Sequence, residues 1–210
     1  MVELSDDEDL LKEGGYPHDW KSNVVYLNNA GEAHLSPKVQ EAGLLAISRP
    51  PWDINVEKER QKIREIFASF INASSSDIAM MPSTAFAMSF AARNIQRSLT
   101  GKVGKILVIE DQMCSAIFPW QQLCRDVNFD IQLEIVKYPT NEGGWTEAVL
   151  SEMSDEVLVV CLPPLHWSDG SLLDLEAIGN ACKLHDSIFI VDATQGTFEL
   201  RLLIEHCAGT

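Results

Sequence analysis

From Ile78 to Asp192 the chain alternates short apolar runs with stretches of helical length, and this alternation restricts the fold more than any other feature of the sequence. The apolar runs are Ile78–Met81, Lys105–Glu110, Ile131–Val136, Val157–Leu162 and Ser187–Asp192. Between them lie a segment from Pro82-Ser83-Thr84 to about Ser98, then Ser115–Arg125, Trp145–Met153 and Leu173–His185. Runs this short and this apolar suit strands buried on both faces. Strands separated by helices require crossover connections, so the expected architecture is α/β, a parallel sheet with helices on both faces.

The residues before Ile78 read differently. Met1–Gly15 is acidic and reads as a solvated arm. Val24–Leu27 reads as a short strand, followed by the turn residues Asn28-Asn29-Ala30-Gly31. A helix is expected from Ser36-Pro37 to just before Pro50-Pro51, because serine caps and proline fits the first turn. A second is expected over Asn55–Ile71, where Val56, Ile63, Ile66, Phe67, Phe70 and Ile71 share one face.

Composition narrows the function classes. With 46% hydrophobic and 22% charged residues, the 210-residue chain can bury a sizeable core. A net charge of −15, with no basic cluster, disfavours a nucleic-acid partner. No apolar run approaches the ~20 residues of a membrane-spanning helix, so no membrane partner is expected. The acidic N-terminus is the opposite of a signal or transit peptide, which makes cytoplasm the expected compartment. Cys114, Cys124, Cys161, Cys182 and Cys207 lack C-x-x-C spacing, and the histidines form no ligand pair. These patterns suit reduced thiols and predict no metal site.

Candidate chemistry starts at Ser187–Gln195, where an apolar run ends in Asp192 and Gln195. In open α/β sheets ligands bind outside the carboxyl ends of strands, which is where these side chains fall. An aspartate after a strand also serves as a turn former or helix cap, and the local pattern leaves both readings open. Neither G-x-G-x-x-G, G-x-x-x-x-G-K-[ST] nor G-x-S-x-G occurs, which weakens nucleotide binding and serine hydrolysis. Met81-Pro82-Ser83-Thr84-Ala85 is a turn into a helix whose hydroxyls and amides suit either an anion or simple capping.

Four blocks in this order carry a resemblance. Tyr26-Leu-Asn-Asn-Ala-Gly31, Pro82-Ser-Thr84, His166-Trp-Ser-Asp-Gly170 followed by Leu173-Asp-Leu-Glu-Ala-Ile178, and Val191-Asp-Ala-Thr-Gln195 together resemble the class V aminotransferase family of pyridoxal-phosphate enzymes. The likeness is strongest to the epimerase-like and carbon–sulfur lyase branch, with cysteine desulfurases in the same group. It implies the three-layer α/β/α large domain of the fold-type-I pyridoxal-phosphate-dependent transferases, in incomplete form. It also implies pyridoxal 5'-phosphate as cofactor and an amino acid as the substrate of the full-length form. Active sites in the family usually lie at a dimer interface, so a homo- or hetero-dimer is implied as well.

The same resemblance assigns roles. Asp192 would pair with the pyridine nitrogen, Gln195 and Trp167 would lie by the ring hydroxyl, and Thr84 with the amide of Ala85 would hold the phosphate. Trp167 could equally be core, since a tryptophan before a turn usually buries area and finds one partner for its N–H. Met113 stands where relatives commonly place an aromatic residue or histidine over the ring. The Schiff-base lysine of the family follows the Val-Asp-Ala-Thr-Gln block in a further strand, and no match to it is found here. Lys183, Lys102 and Lys105 lie on the wrong side of their elements to replace it, so no catalytic residue is assigned and the chain is expected to be inactive alone.

These implications divide the chain into an acidic arm (1–23), a segment of short strand plus helices (24–75), an incomplete cofactor-binding α/β domain (76–197) and a divergent tail (198–210). The chain then reads as the N-terminal portion of a lyase or transferase, through a truncated isoform, an altered frame or an incomplete gene model. The alternative is a non-catalytic short form that binds a full-length partner. The implied sheet order is Ile131–Val136, Lys105–Glu110, Val157–Leu162, Ser187–Asp192, with Ile78–Met81 left unpaired.

Overall fold

The computed structural model of the chain describes residues 27–28, 30–33, 35–140 and 144–196. The acidic arm, most of the expected strand at Val24–Leu27, the centre of the Tyr138–Trp145 loop and the tail from 198 lie outside them. The chain divides into two compact units, Met1–Arg60 and Gln61–Thr210. In the first, α1 (Pro37–Ser48) starts as expected, with Ser36 as N-cap accepting from the Val39 amide and Pro37 in the first turn. Arg49 and Glu59 form an ion pair at 2.7 Å. α2 (Val56–Phe70) runs across the division.

The second unit holds α3 (Thr84–Leu99), β1 (Val103–Ile109), α4 (Cys114–Cys124), β2 (Asp130–Val136), α5 (Gly144–Glu152), β3 (Val157–Leu162), α6 (Leu175–Leu184) and β4 (Ile188–Val191). All pairings are parallel and the order is β2-β1-β3-β4, as the resemblance implied.

Side-chain alternation along each strand sorts the core into two layers. Leu107, Ile109, Val160 and Leu162 face α5 and α6 through Trp145, Val149, Leu175 and Ile178. Ile106, Val108, Val159 and Cys161 face α3 and α4 through Met88, Ala92, Trp120 and Leu123. The result is the expected three-layer α/β/α arrangement. Gly104 allows β1 and β3 to approach: a Cβ there would overlap the Glu156 carbonyl oxygen and the Leu158 side chain.

One expectation is corrected. Ile78–Met81 is not a strand; the Ile78 amide closes the single 3₁₀ turn Ser75–Asp77, and the following residues carry no ladder. The segment is apolar enough for a strand, but it has no neighbour to pair with, and strand structure exists only in a ladder. Among the described residues no helix is long and apolar enough to cross a membrane.

Candidate functional site

The chain leaves β1 toward β2 on one side and returns to β3 on the other, so the strand order reverses at β1 and β3. Such a switch point opens a crevice at the carboxyl ends of the strands. Here the turns after β1, β3 and β4 enclose a cavity of about 50 Å³ lined by Gln112, Met113, Leu165, Trp167, Asp192 and Gln195 among others. A second, more open depression of about 360 Å³ continues on the other side of Asp192, along Met81, Ser83, Thr84, Ala87 and Thr194.

Asp192 is the buried acid between the two. It is 8% exposed, and its amide continues the β4 ladder to the Leu162 carbonyl at 3.0 Å. Its Oδ1 accepts from the Thr194 amide at 3.1 Å and from the Thr194 hydroxyl at 2.5 Å. Those bonds fix the plane of the carboxylate and leave Oδ2 for a ligand. Gly196 ends the turn, and a Cβ on it would overlap the Pro164 ring, so the turns after β3 and β4 touch at a position that admits only glycine.

Thr84 shares the open depression with this acid and reaches its partner Thr194. Its hydroxyl is 3.3 Å from that of Thr194. Ser83 is the N-cap of α3, accepting from the Phe86 amide, so capping falls to Ser83 and the Thr84 hydroxyl is free of that duty. The first helical turn contains no acidic residue. The amides of Thr84 and Ala85 precede the helical ladder and sit at the positive end of its dipole, where an anion is favoured. Ala85 borders a third depression, the groove between α3 and α4, and not the one along Thr84.

Trp167 borders the cavity with half its surface exposed, and its indole N–H donates to the Asp111 carbonyl at 2.6 Å. The N–H is committed, and what Trp167 offers the cavity is its ring. Asp111 itself turns the chain at φ 52°, a left-handed conformation that aspartate tolerates. Beside it His166 is fully buried, with Nε2 3.0 Å from the Glu110 carbonyl and Nδ1 2.9 Å from the Ser168 hydroxyl. The carbonyl can only accept, so Nε2 carries the hydrogen and Nδ1 accepts from Ser168. The His166 ring stacks on Trp145 at 5.1 Å and meets the Tyr138 ring edge-on at 5.2 Å. His166 therefore ties the turn after β3 to the end of β1 and sets the height of Trp167.

The sequence-assigned residues thus gather as follows. Asp192, Gln195 and Trp167 border one cavity; Thr84 and Asp192 share the adjoining one; Ala85 lies at the same helix start. Met113 lines the cavity as well. Lys105 lies in the first half of β1, away from the carboxyl ends of the strands, 3.6 Å from Glu156 and 3.9 Å from Glu134, and Lys183 is in the last turn of α6. Desolvation pushes the buried Cys161 up to about 12, and the half-buried Cys124 and buried Cys182 up to about 11, which disfavours their thiolates.

Gln112, Thr194 and His166 were missed as functional residues. The rule that selected Asp192, polar residues immediately after a buried strand, also selects Gln112 after Val103–Ile109. Gln112 further supports a ligand at this place: its Oε1 is shielded from solvent and has no hydrogen-bond partner. A buried carboxylate, an unpaired acceptor, two amides and an acid-free helix start suit a small ligand with a protonated ring nitrogen and a phosphate.

Comparison with known proteins gives the family. The uncharacterized aminotransferase YcbU of Bacillus subtilis is 29% identical over 146 residues, which cover 69% of this chain and 36% of that protein. A probable cysteine desulfurase of Mycoplasma genitalium is 26% identical over 137 residues, covering 64% of this chain and 33% of that one. This chain thus spans about a third of the length of these curated relatives. A C-DES structure with glycine covalently linked to its pyridoxal-phosphate cofactor superposes with a TM-score of 0.65 at 19% identity, over 83% of this chain and 48% of that one. The sheet described above is therefore shared with that solved structure, of which this chain spans about half. The family profile described as aminotransferase class-V matches residues 52–207, so the chain belongs to the class V aminotransferase family.

Proposed function

We propose that this chain is an N-terminal portion of a pyridoxal-phosphate-dependent lyase or transferase acting on an amino acid, with carbon–sulfur bond cleavage as the favoured branch. The observation that carries the reading is the buried Asp192, held through one oxygen by Thr194 and open through the other. When bound, the cofactor supplies an electron sink for a substrate carbanion. Asp192 would hold the proton on the pyridine nitrogen by charge and hydrogen bond. Thr84 and the amide of Ala85 would bind the phosphate at the start of α3. Gln195 would reach the ring hydroxyl through its amide, and Trp167 and Met113 would bound the ring and exclude water.

Among the described residues no lysine lines either depression beside Asp192. The chain alone is therefore proposed to bind the cofactor weakly and noncovalently, without turnover. Residues 76–197 would form the incomplete cofactor-binding domain, after the segment 24–75 and the arm 1–23, in the reducing cytoplasm.

A second reading, a non-catalytic form that pairs with a full-length partner or a second copy, is favoured by Phe86, Phe90 and Phe118, which lie exposed on α3 and α4. Equilibrium dialysis of the full chain against pyridoxal phosphate tests the first reading. Binding that Asp192→Asn weakens at least tenfold supports it; equal binding by both proteins removes Asp192 from the site. Co-purification with a full-length form tests the second.

A further inference from the structure

We infer that Gln112 is a further ligand-binding residue, whose side-chain oxygen accepts a hydrogen bond from a hydroxyl or amine group of the pyridoxal-type ligand in the cavity beside Asp192. The inference rests on the reading of that cavity as the cofactor pocket. Three observations carry it. Gln112 Oε1 is shielded from solvent and unpaired, although buried acceptors are nearly always satisfied. The side chain borders the cavity together with Asp192, Trp167 and Gln195. The turn that carries it is anchored at the left-handed Asp111, whose carbonyl is bound by Trp167, so the glutamine backbone is held at the cavity wall while its side-chain torsions can turn the enclosed oxygen toward a ligand.

The chemistry of the lining then specifies what must enter. Asp192 Oδ2 and Gln112 Oε1 are both acceptors, and the indole N–H that borders the same space is already used. A ligand that satisfies both must bring at least two hydrogens. A pyridoxal-type ring brings one on its nitrogen for Asp192; the remaining donors are its ring hydroxyl and, in the amine form, the amino group. In the free chain the unpaired oxygen is destabilising, so an apolar isostere should stabilise the fold while weakening the ligand. A purely structural glutamine would instead lose stability on that substitution.

The test compares the full chain with Gln112→Leu, Gln112→Met and Asp192→Asn, by thermal unfolding without ligand and by equilibrium dialysis against pyridoxal phosphate and pyridoxamine phosphate. The expected result is a ligand-free Tm about 2–4 °C higher in both Gln112 variants. Affinity should fall roughly 5- to 10-fold. A loss confined to pyridoxamine phosphate identifies the amine as the donor; an equal loss for both ligands identifies a group they share. Wild-type binding that Asp192→Asn abolishes and both Gln112 variants retain overturns this inference alone. A lower ligand-free Tm in both variants also overturns it, because Gln112 would then have a structural partner. Absence of wild-type binding overturns the pocket reading and the inference with it.

Discussion

Replacing His166 by leucine tests whether the turn that carries Trp167 is held by a single buried ring. The substitution keeps an apolar side chain in the pocket and removes the Nε2–H bond to the Glu110 carbonyl at 3.0 Å and the Nδ1 bond to Ser168 at 2.9 Å. Leaving the Glu110 carbonyl without its donor costs ~1–3 kcal/mol, and loss of the Ser168 bond adds ~0.5–1.5 kcal/mol. Loss of the stacked contact with Trp145 and the edge contact with Tyr138 adds ~0.5–1.5 kcal/mol. Burial of the leucine offsets part of this, for a net loss of roughly 2–4 kcal/mol. For a domain of this size that lowers Tm by about 5–15 °C. Thermal unfolding followed by far-ultraviolet circular dichroism reads the loss. His166→Gln, which keeps one donor, should lose about half as much. Trp167 emission, isolated by subtracting a Trp167→Phe protein, should shift to the red as the indole leaves Asp111. A Tm within about 1 °C of wild type, with unchanged Trp167 emission, would refute the anchoring role.

Gly104→Ala forces β1 and β3 apart where the Lys105 amide donates to Glu156 at 2.8 Å; chemical denaturation should record a loss of ~1–3 kcal/mol, and an unchanged midpoint contradicts the close approach. Glu110 is held below the usual carboxylate range, first by the hydrogen bond from Lys137 and then by that from the Tyr138 amide. A depressed carboxyl stabilises the fold above its unfolded-state pKa and loses that contribution as pH falls through its folded value. The stability difference between wild type and Lys137→Met should therefore be small but present at neutral pH and vanish on acidification through the carboxylate range. A difference that grows toward acid contradicts the assignment.

Where hydrophobic pattern and capping chemistry were strong, the sequence alone located the elements. Val157–Leu162 is bounded as expected, and Ser36 and Ser83 cap the helices they precede. Ile78–Met81 is unpaired, as the implied sheet order had it, but it failed as a strand: with Met80 50% and Met81 36% exposed, the segment has neither a covering layer nor a hydrogen-bonding neighbour, and local sequence names neither. Asp192 was legible because a charge at the end of an apolar run is conspicuous. Trp167 was legible as a residue, but the fate of its N–H was not, since Asp111 lies 56 positions earlier and meets it only in the folded chain. Gln112 was within reach of the rule that picked out Asp192, since it follows the β1 run, but that rule does not rank it above Glu110 and Asp111 beside it; only packing reveals that its oxygen is enclosed.

The central claim is that Asp192 and the start of α3 hold the two ends of one cofactor. A crystal structure of the full chain grown with pyridoxal phosphate tests it most directly. The expected result is the ring nitrogen ~2.7–2.9 Å from a carboxylate oxygen of Asp192 and the phosphate on Thr84 and the amide of Ala85. A ligand ordered elsewhere, or one in this cavity with its ring nitrogen turned away from Asp192, would contradict it.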